Sequence, residues 1–482
     1  MPVTPPIVWR GLARAVVALA ATAAVAAGCA PESGRPRKTH LAVLPAAARP
    51  GGIAFSEAGD AWAFVVATDE GDRVVGPRGT GAPHDRCGRP QLAPGESRVL
   101  YWARDDDDAG GDASVFRLVT EDGIGAEFVG PAELVLSPRG SRWAALGRQS
   151  RAPGAPLVLI VDGAEHAARV DLSFPVFSAD DRYVAYLAAR DDGRVALVVD
   201  GIERHLYEAP AAPCARAAWQ AASRPDLVAH HPLRFLSDGS LVVVTRDAEG
   251  WGVYRDEERL ASYPLSETDR ASDACRPGAW IVPSSLATAA GAPYAFWWER
   301  LAGTAPHWRV VRNGTPPDDV ICHDAWRAQP PEVAPDGRRY AYACAVRMPS
   351  SDAEELRRVF VVTAGARYGP YADVWGIALA PDGSRVAYGA HDGSRDRPWS
   401  IHVDGAPRVA GYAAVWRPRL DATGTHLAWQ AQPDPEGPGV LGLDARRITR
   451  FDEILWGPEF TPDHVAWIIR RGRKLTRIQV PL

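Results

Sequence analysis

The chain has 482 residues, 46% hydrophobic and 23% charged, with a formal net charge of −5; this is the balance of a globular protein long enough for a large core or for two or three domains. Its 45 Gly, 42 Pro and 17 Trp, against two Met, favour short strands joined by tight turns over long helices. A mildly acidic chain without a basic stripe lacks the phosphate-neutralising charge of nucleic-acid binders, and no apolar run after residue 28 reaches the roughly 18–20 residues of a membrane-crossing helix.

At the N-terminus, Arg10 and Arg14 lead into an apolar stretch, Ala15 to Ala27, that ends in Ala26-Ala27-Gly28-Cys29. A basic start, a short apolar segment and small residues before a cleavage point describe an export signal over residues 1–28. The Cys directly after those small residues resembles the bacterial lipoprotein lipobox, with Ala26 where that family usually carries Leu. The resemblance implies lipidation of Cys29 and membrane attachment through that N-terminal lipid. Ala30 rather than Asp after the Cys implies an outer-membrane address. Loss of residues 1–28 would remove Arg10 and Arg14 and no acid, leaving a charge of about −7. Residues 29–50, rich in Pro, Ala and Arg, read as a flexible tether.

From residue 51 to the end one unit recurs. Its copies end at Phe64, Tyr101, Ala145, Tyr186, Val244, Phe296, Tyr342, Tyr388, Trp429 and Trp467, at spacings of 37 to 58 residues. The clearest copies are Phe177-Ser-Ala-Asp-Asp-Arg-Tyr-Val-Ala-Tyr186, Val333-Ala-Pro-Asp-Gly-Arg-Arg-Tyr-Ala-Tyr342, Leu379-Ala-Pro-Asp-Gly-Ser-Arg-Val-Ala-Tyr388 and Leu420-Asp-Ala-Thr-Gly-Thr-His-Leu-Ala-Trp429; Phe460 to Trp467 is a shortened one. In each, Pro presets φ, Asp bonds back to nearby amides and Gly takes the next position at little steric cost. A strand therefore precedes the turn and a second follows it. A third ends in an acidic turn, as in Leu159 to Gly163, Leu197 to Gly201 and Ile401 to Gly405, and an edge strand such as Pro370 to Val374 completes the unit.

Four short strands per 40-odd residues is the period of a propeller blade. The decapeptide resembles the WD40-like repeats of the kind found in TolB, over nearly all of residues 51–482. The expected fold is all-β, a β-propeller of four-stranded antiparallel blades with about ten units, in one large ring or two smaller ones. After Trp467 only Leu475 to Val480 remains to form a strand, so Thr39 to Leu44 is the candidate for the missing outer strand; it would close the assembly and cover an edge.

Trp375, Trp416 and Trp456 each stand six residues before the turn position of Pro381, Ala422 and Pro462, and Trp219, Trp280 and Trp326 lie in the corresponding connections. In a propeller that connection crosses one face, so the six indoles are candidates for a ligand-binding rim, or for packing between blades. Cys87, Cys214, Cys275 and Cys322 share the same connection. An exported chain permits disulfides: Cys322 with Cys344 is the favoured pair and Cys214 with Cys275 the next. Asp105 to Asp108 with Gly110, Gly111 and Asp112 reads as a solvated hairpin tip rather than a calcium loop. Gly437-Pro-Gly-Val-Leu-Gly442 matches a dinucleotide pattern but opens no helix.

No nucleophile elbow, zincin or phosphate-loop motif occurs, and no cofactor or metal is expected. The sequence therefore favours a non-enzymatic binding or scaffolding lipoprotein of the bacterial envelope, meeting an envelope protein, peptide or glycan. The alternative is a propeller hydrolase or lyase acting on envelope polysaccharide through channel carboxylates.

Overall fold

The computed structural model describes residues 36–482 except 57–58, 94–97, 106–114, 121–122, 131, 151, 153, 170–171, 193, 208–232, 247–249, 265–286, 289–293, 302–306, 324–330, 349–355, 397 and 417. Its strands form ten antiparallel sheets, seven of four strands, one of three and two whose first strand is split into two pieces. The ten residues that end the repeat copies, Phe64 through Trp467, fall one each in the second strand of these sheets, and all ten are buried. The fold is an all-β propeller of four-stranded blades. One expected boundary moves: the edge strand of the seventh sheet is Arg367–Tyr371, and Asp373–Leu379 already opens the eighth.

The chain divides into two compact units, residues 1–46 with 452–482, and residues 47–451. The larger holds nine sheets, and every consecutive pair encloses its own apolar core. The period-2 geometry of a strand makes this possible. In the fourth sheet Val184, Tyr186 and Ala188 pack toward the third sheet, while Ala185 and Leu187 pack toward the fifth. The near-continuous apolar second strands of the repeat are strands buried on both faces.

A second repeated device fixes the outer hairpins. Asp162, Asp200, Asp256, Asn313, Asp404 and Asp444 all take the left-handed conformation, with φ between 46 and 53°, where Asp and Asn are tolerated best after Gly. Each side-chain oxygen accepts from the N–H of the residue that opens or leads into the second strand, as Asp162 does from Trp143 at 2.9 Å and Asn313 from Ala295 at 2.8 Å. The same Asp or Asn returns its own N–H to that residue's carbonyl. The acidic turns of the sequence are thus clasps that hold strand three to strand two.

The repeat turns also clamp neighbouring sheets. Arg142 of the third sheet donates to Asp162 at 2.7 Å and to the carbonyl of Arg182 in the next turn at 3.0 Å. Arg385 of the eighth does the same, to Asp404 at 2.7 Å and to Gly424 O at 3.1 Å. Arg339 of the seventh reaches Asp382 O. Asp181, standing where other copies have Gly, has φ 65°. Its carboxylate accepts from Ser137 Oγ and Ser141 Oγ, both at 2.7 Å, and from the N–H groups of Arg139 at 3.0 Å and Ser141 at 3.2 Å.

In the smaller unit, Arg37–Val43 pairs antiparallel with Lys474–Pro481, which pairs in turn with His464–Arg471 and then Glu453–Phe460. The outer strand of the last sheet comes from the N-terminal side of the chain, and the pairing includes Thr39 with Arg477 and His40 with Thr476. Leu44 N–H donates to Arg473 O, and Arg473 Nε to Leu44 O, both at 2.8 Å. The stretch read as a tether therefore carries the strand Arg37–Val43 and the start of Ala48–Phe55.

Candidate binding site

The first strand of five sheets breaks at the same point. Trp375 lies opposite Gly389 while Ala378 lies opposite Ala387. Trp456 lies opposite Ile468 while Glu459 lies opposite Ala466. Each strand carries one residue more than its partner, a bulge. In the ninth sheet Val415 faces Ala431 and Arg419 faces Ala428, again one in excess, and Trp416 N–H donates to Gln430 O at 3.1 Å. The second sheet repeats this with Gly88 N–H on Trp102 O at 2.7 Å, and the fourth with Ser173 N–H on Leu187 O at 2.9 Å.

Two residues after the marked position stands Pro90, Pro175, Pro418 or Pro458, with Ile377 as the exception. Proline has no N–H for the ladder, so it is tolerated where the ladder is already broken. Gly376 and Gly457, directly after two of the Trp, have φ of 65° and 89°, a backbone turn that favours Gly. The bulge re-aims the side chain just before it. Gly88 and Ser173 place almost nothing there; the eighth, ninth and tenth sheets place an indole. The signal legible in sequence but not used above is this small-or-Trp position two residues before Pro.

Trp375 is 39% exposed and Trp416 38%, so part of each residue meets solvent. Trp416 packs at a tilt on Phe451, 6.0 Å between centroids. Half-buried Trp456, in the smaller unit, has the Arg477 guanidinium 5.6 Å over its ring, which fixes that indole by a cation–π contact. Opposite Trp375, Gly389 is obligatory: a Cβ there would stand 2.5 Å from Val415 Cγ2. Cys29, Trp219, Trp280, Trp326, Cys214, Cys275 and the run from Asp106 to Asp112 lie outside the described residues.

No protein-family model matches the chain, and no curated protein does. Among solved structures it is similar to a eukaryotic initiation factor, at 12% identity over 76% of this chain and 91% of that one, with a TM-score of 0.39. It is similar to the β-propeller domain of the Trilobed protease from Pyrococcus furiosus at 8% identity, covering 82% and 92%, with a TM-score of 0.27. TolB from Acinetobacter baumannii follows at 10% identity, 79% of each chain and a TM-score of 0.21. These superpositions are loose, and the fold stands on the sheets and their stacking.

Cys322 and Cys344 form a disulfide, with Cα atoms 5.3 Å apart. Its place differs from a staple within one unit. Cys322 exchanges both backbone bonds with Trp308 and so extends the sixth sheet, whereas Cys344 lies on the second strand of the seventh. The bridge ties two sheets together. Close by, Asp318 accepts from Tyr340 at 2.8 Å and from Tyr342 at 2.9 Å. Burial and then the Asp318 carboxylate push the Tyr342 hydroxyl above its ordinary value.

A polar network lies between the seventh and eighth sheets. Tyr371 and Tyr388 share a 2.8 Å bond, Ser400 Oγ lies 2.9 Å from His402 Nε2, and His402 Nδ1 lies 3.1 Å from Gly405 O. The carbonyl of Gly405 accepts only from an N–H, which places the proton on Nδ1 and leaves Nε2 to accept from Ser400. Burial holds His402 below the ordinary imidazole value, opposed by the Gly405 carbonyl. With both nitrogens occupied, this histidine is a packing element. Among the described residues no group of three His, Cys, Asp or Glu stands close enough to hold a metal ion.

Proposed function

We propose that this chain is a non-enzymatic binding lipoprotein of the bacterial cell envelope, held by a lipid on Cys29, that engages an envelope protein, peptide or glycan through the indoles at its strand bulges. The observation that carries the binding half is the repetition of one bulge in five first strands, with Trp at the marked position in three of them. Trp375 and Trp416 keep nearly 40% of their surface exposed, which leaves aromatic surface available to a partner. The address rests on the residues from Arg10 to Cys29.

A photo-crosslinking residue at position 375 or 416, in cells, tests the reading, with exposed Arg408 on an outer strand as the control position. Adducts at 375 and 416 with none at 408 are expected. Adducts at 408 alone would overturn it.

A further inference from the structure

The charges of the last sheet are sorted by strand. Among the described residues of the smaller unit the acidic side chains are Asp452, Glu453, Glu459 and Asp463. All four stand on the first strand, Glu453–Phe460, or just beyond its ends. The seven Lys and Arg stand on the other three strands or in the hairpin that joins two of them. The sheet runs in the order first, second, third, outer, so its acidic edge and its basic outer strand are about 14 Å apart.

Two of these cations are engaged within the sheet: Arg470 pairs with Glu453 at 2.8 Å, and Arg477 lies over Trp456. The other five, Arg37, Lys38, Arg471, Arg473 and Lys474, are exposed. Arg37 and Lys38 open the outer strand; the remaining three flank its far end, where Val43, 65% exposed, lies opposite Lys474. Of the acids, Asp452 comes to that hairpin, accepting the Gly472 N–H at 2.6 Å.

Charge alone would not single out this edge, but its covalent position does. Eight peptide units separate Cys29 from Arg37, so their Cα atoms stand no more than about 29 Å apart. A lipid on Cys29 would therefore keep the outer strand within reach of the bilayer surface. The larger unit carries 44 Lys or Arg against 54 Asp or Glu, and an anionic surface repels that excess.

We propose that the outer edge of the last sheet, from Arg37 to the hairpin of Arg473 and Lys474, lies on the anionic phospholipid headgroups of the membrane that holds the chain, a reading that rests on the Cys29 anchor. Cations near a negatively charged bilayer surface are drawn to it over about a Debye length, and the short link supplies the proximity that so few charges could not supply alone. The acidic first strand of the same sheet then faces away.

The test holds the mature chain, from residue 29, on vesicles through an N-terminal hexahistidine tag and a nickel-chelating lipid, so that it does not depend on lipidation in the cell. A fluorescent amino acid replaces exposed Val43 on the outer strand or, as the control, exposed Pro462 in the turn after the first strand; a lipid spin-labelled at its headgroup quenches it. In phosphatidylcholine vesicles with about 30 mol% phosphatidylglycerol, quenching at position 43 should exceed that at 462 at least about threefold. It should fall at least about twofold in vesicles of phosphatidylcholine alone, in 1 M salt, and in a variant carrying Arg37→Gln, Lys38→Gln, Arg471→Gln and Lys474→Gln. That variant keeps Arg473, whose Nε bonds Leu44 O, and its melting temperature checks that the sheet is intact. Equal quenching at 43 and 462 on the anionic vesicles would overturn the proposal, as would a folded four-Gln variant quenched like the parent. Mature chain recovered from cells without an acyl group on Cys29 would overturn the anchor reading instead.

Discussion

Replacing Asp181 with Gly restores the residue that the repeat prefers at that turn, yet it should destabilise the protein. The gain is relief of a left-handed non-Gly backbone, about 1–2 kcal/mol. The loss is a carboxylate that accepts four bonds at 2.7 to 3.2 Å from the preceding sheet's turn. Hydrogen bonds to a charged group contribute about 1.5–3 kcal/mol each when isolated, and less when they share one acceptor. Ser137, 1% exposed, would also lose the acceptor for its hydroxyl. The net expectation is a loss of about 2–4 kcal/mol. Hydrogen exchange at the Arg139 and Ser141 amides reads it locally, with protection falling about thirtyfold or more. Partial burial raises the Asp181 carboxyl, but the bonds from Ser141, Arg139 and Ser137 outweigh it and hold the group below its usual 3.8. A depressed carboxyl stabilises above its unfolded value and loses that contribution as pH falls through the folded one, so the difference between parent and variant should shrink only in acid below about pH 4. An Asp181→Gly protein as stable as the parent at pH 7, with unchanged protection at Arg139 and Ser141, would refute the clamp.

His402→Gln should flatten the loss of stability as pH falls below about 6.5, because the parent's buried neutral imidazole resists a proton that the unfolded chain accepts; denaturant titrations from neutral into mildly acid solution check the sign. Cys344→Ala, or reduction, should cost about 2–5 kcal/mol in denaturant unfolding, since the bridge closes 22 residues and ties two sheets. Gly442→Ala should destabilise by at least about 1–3 kcal/mol, because the added Cβ would lie 1.9 Å from the buried Trp429 ring; a variant with the parent's melting temperature contradicts this. Deleting residues 36–43 bares the edge of Lys474–Pro481, and exchange protection of its outward amides should collapse while that of Leu427–Gln432 is kept.

The fold was legible because each copy's turn chemistry and each copy's apolar second strand point the same way. Even the weak copies ending at Phe64 and Phe296 fall in second strands. The strand Arg37–Val43 was legible only by subtraction, from the want of an outer partner beside Leu475 to Val480, since its own composition reads as linker. The edge strand near Pro370 was misplaced by three residues because first and fourth strands of adjacent sheets abut there, and nothing local separates Tyr371 from Asp373. For the binding site, Trp375, Trp416 and Trp456 were visible as a spacing, but not the reason for it. A bulge is a mismatch between two strands, and one strand's sequence shows it only through the Pro that tolerates it. The inter-sheet arginines were invisible for a similar cause. Arg142 and Arg385 look like any solvated turn residue until the neighbouring carbonyls are in place.

Affinity capture from envelope extracts, with the lipidated full chain and with a Trp375→Ala, Trp416→Ala, Trp456→Ala variant of equal stability, tests the central claim most directly. The bulge indoles as the binding element predict that the partner recovered by the parent is lost from the triple variant. The same partner, recovered in the same amount by both, would contradict it.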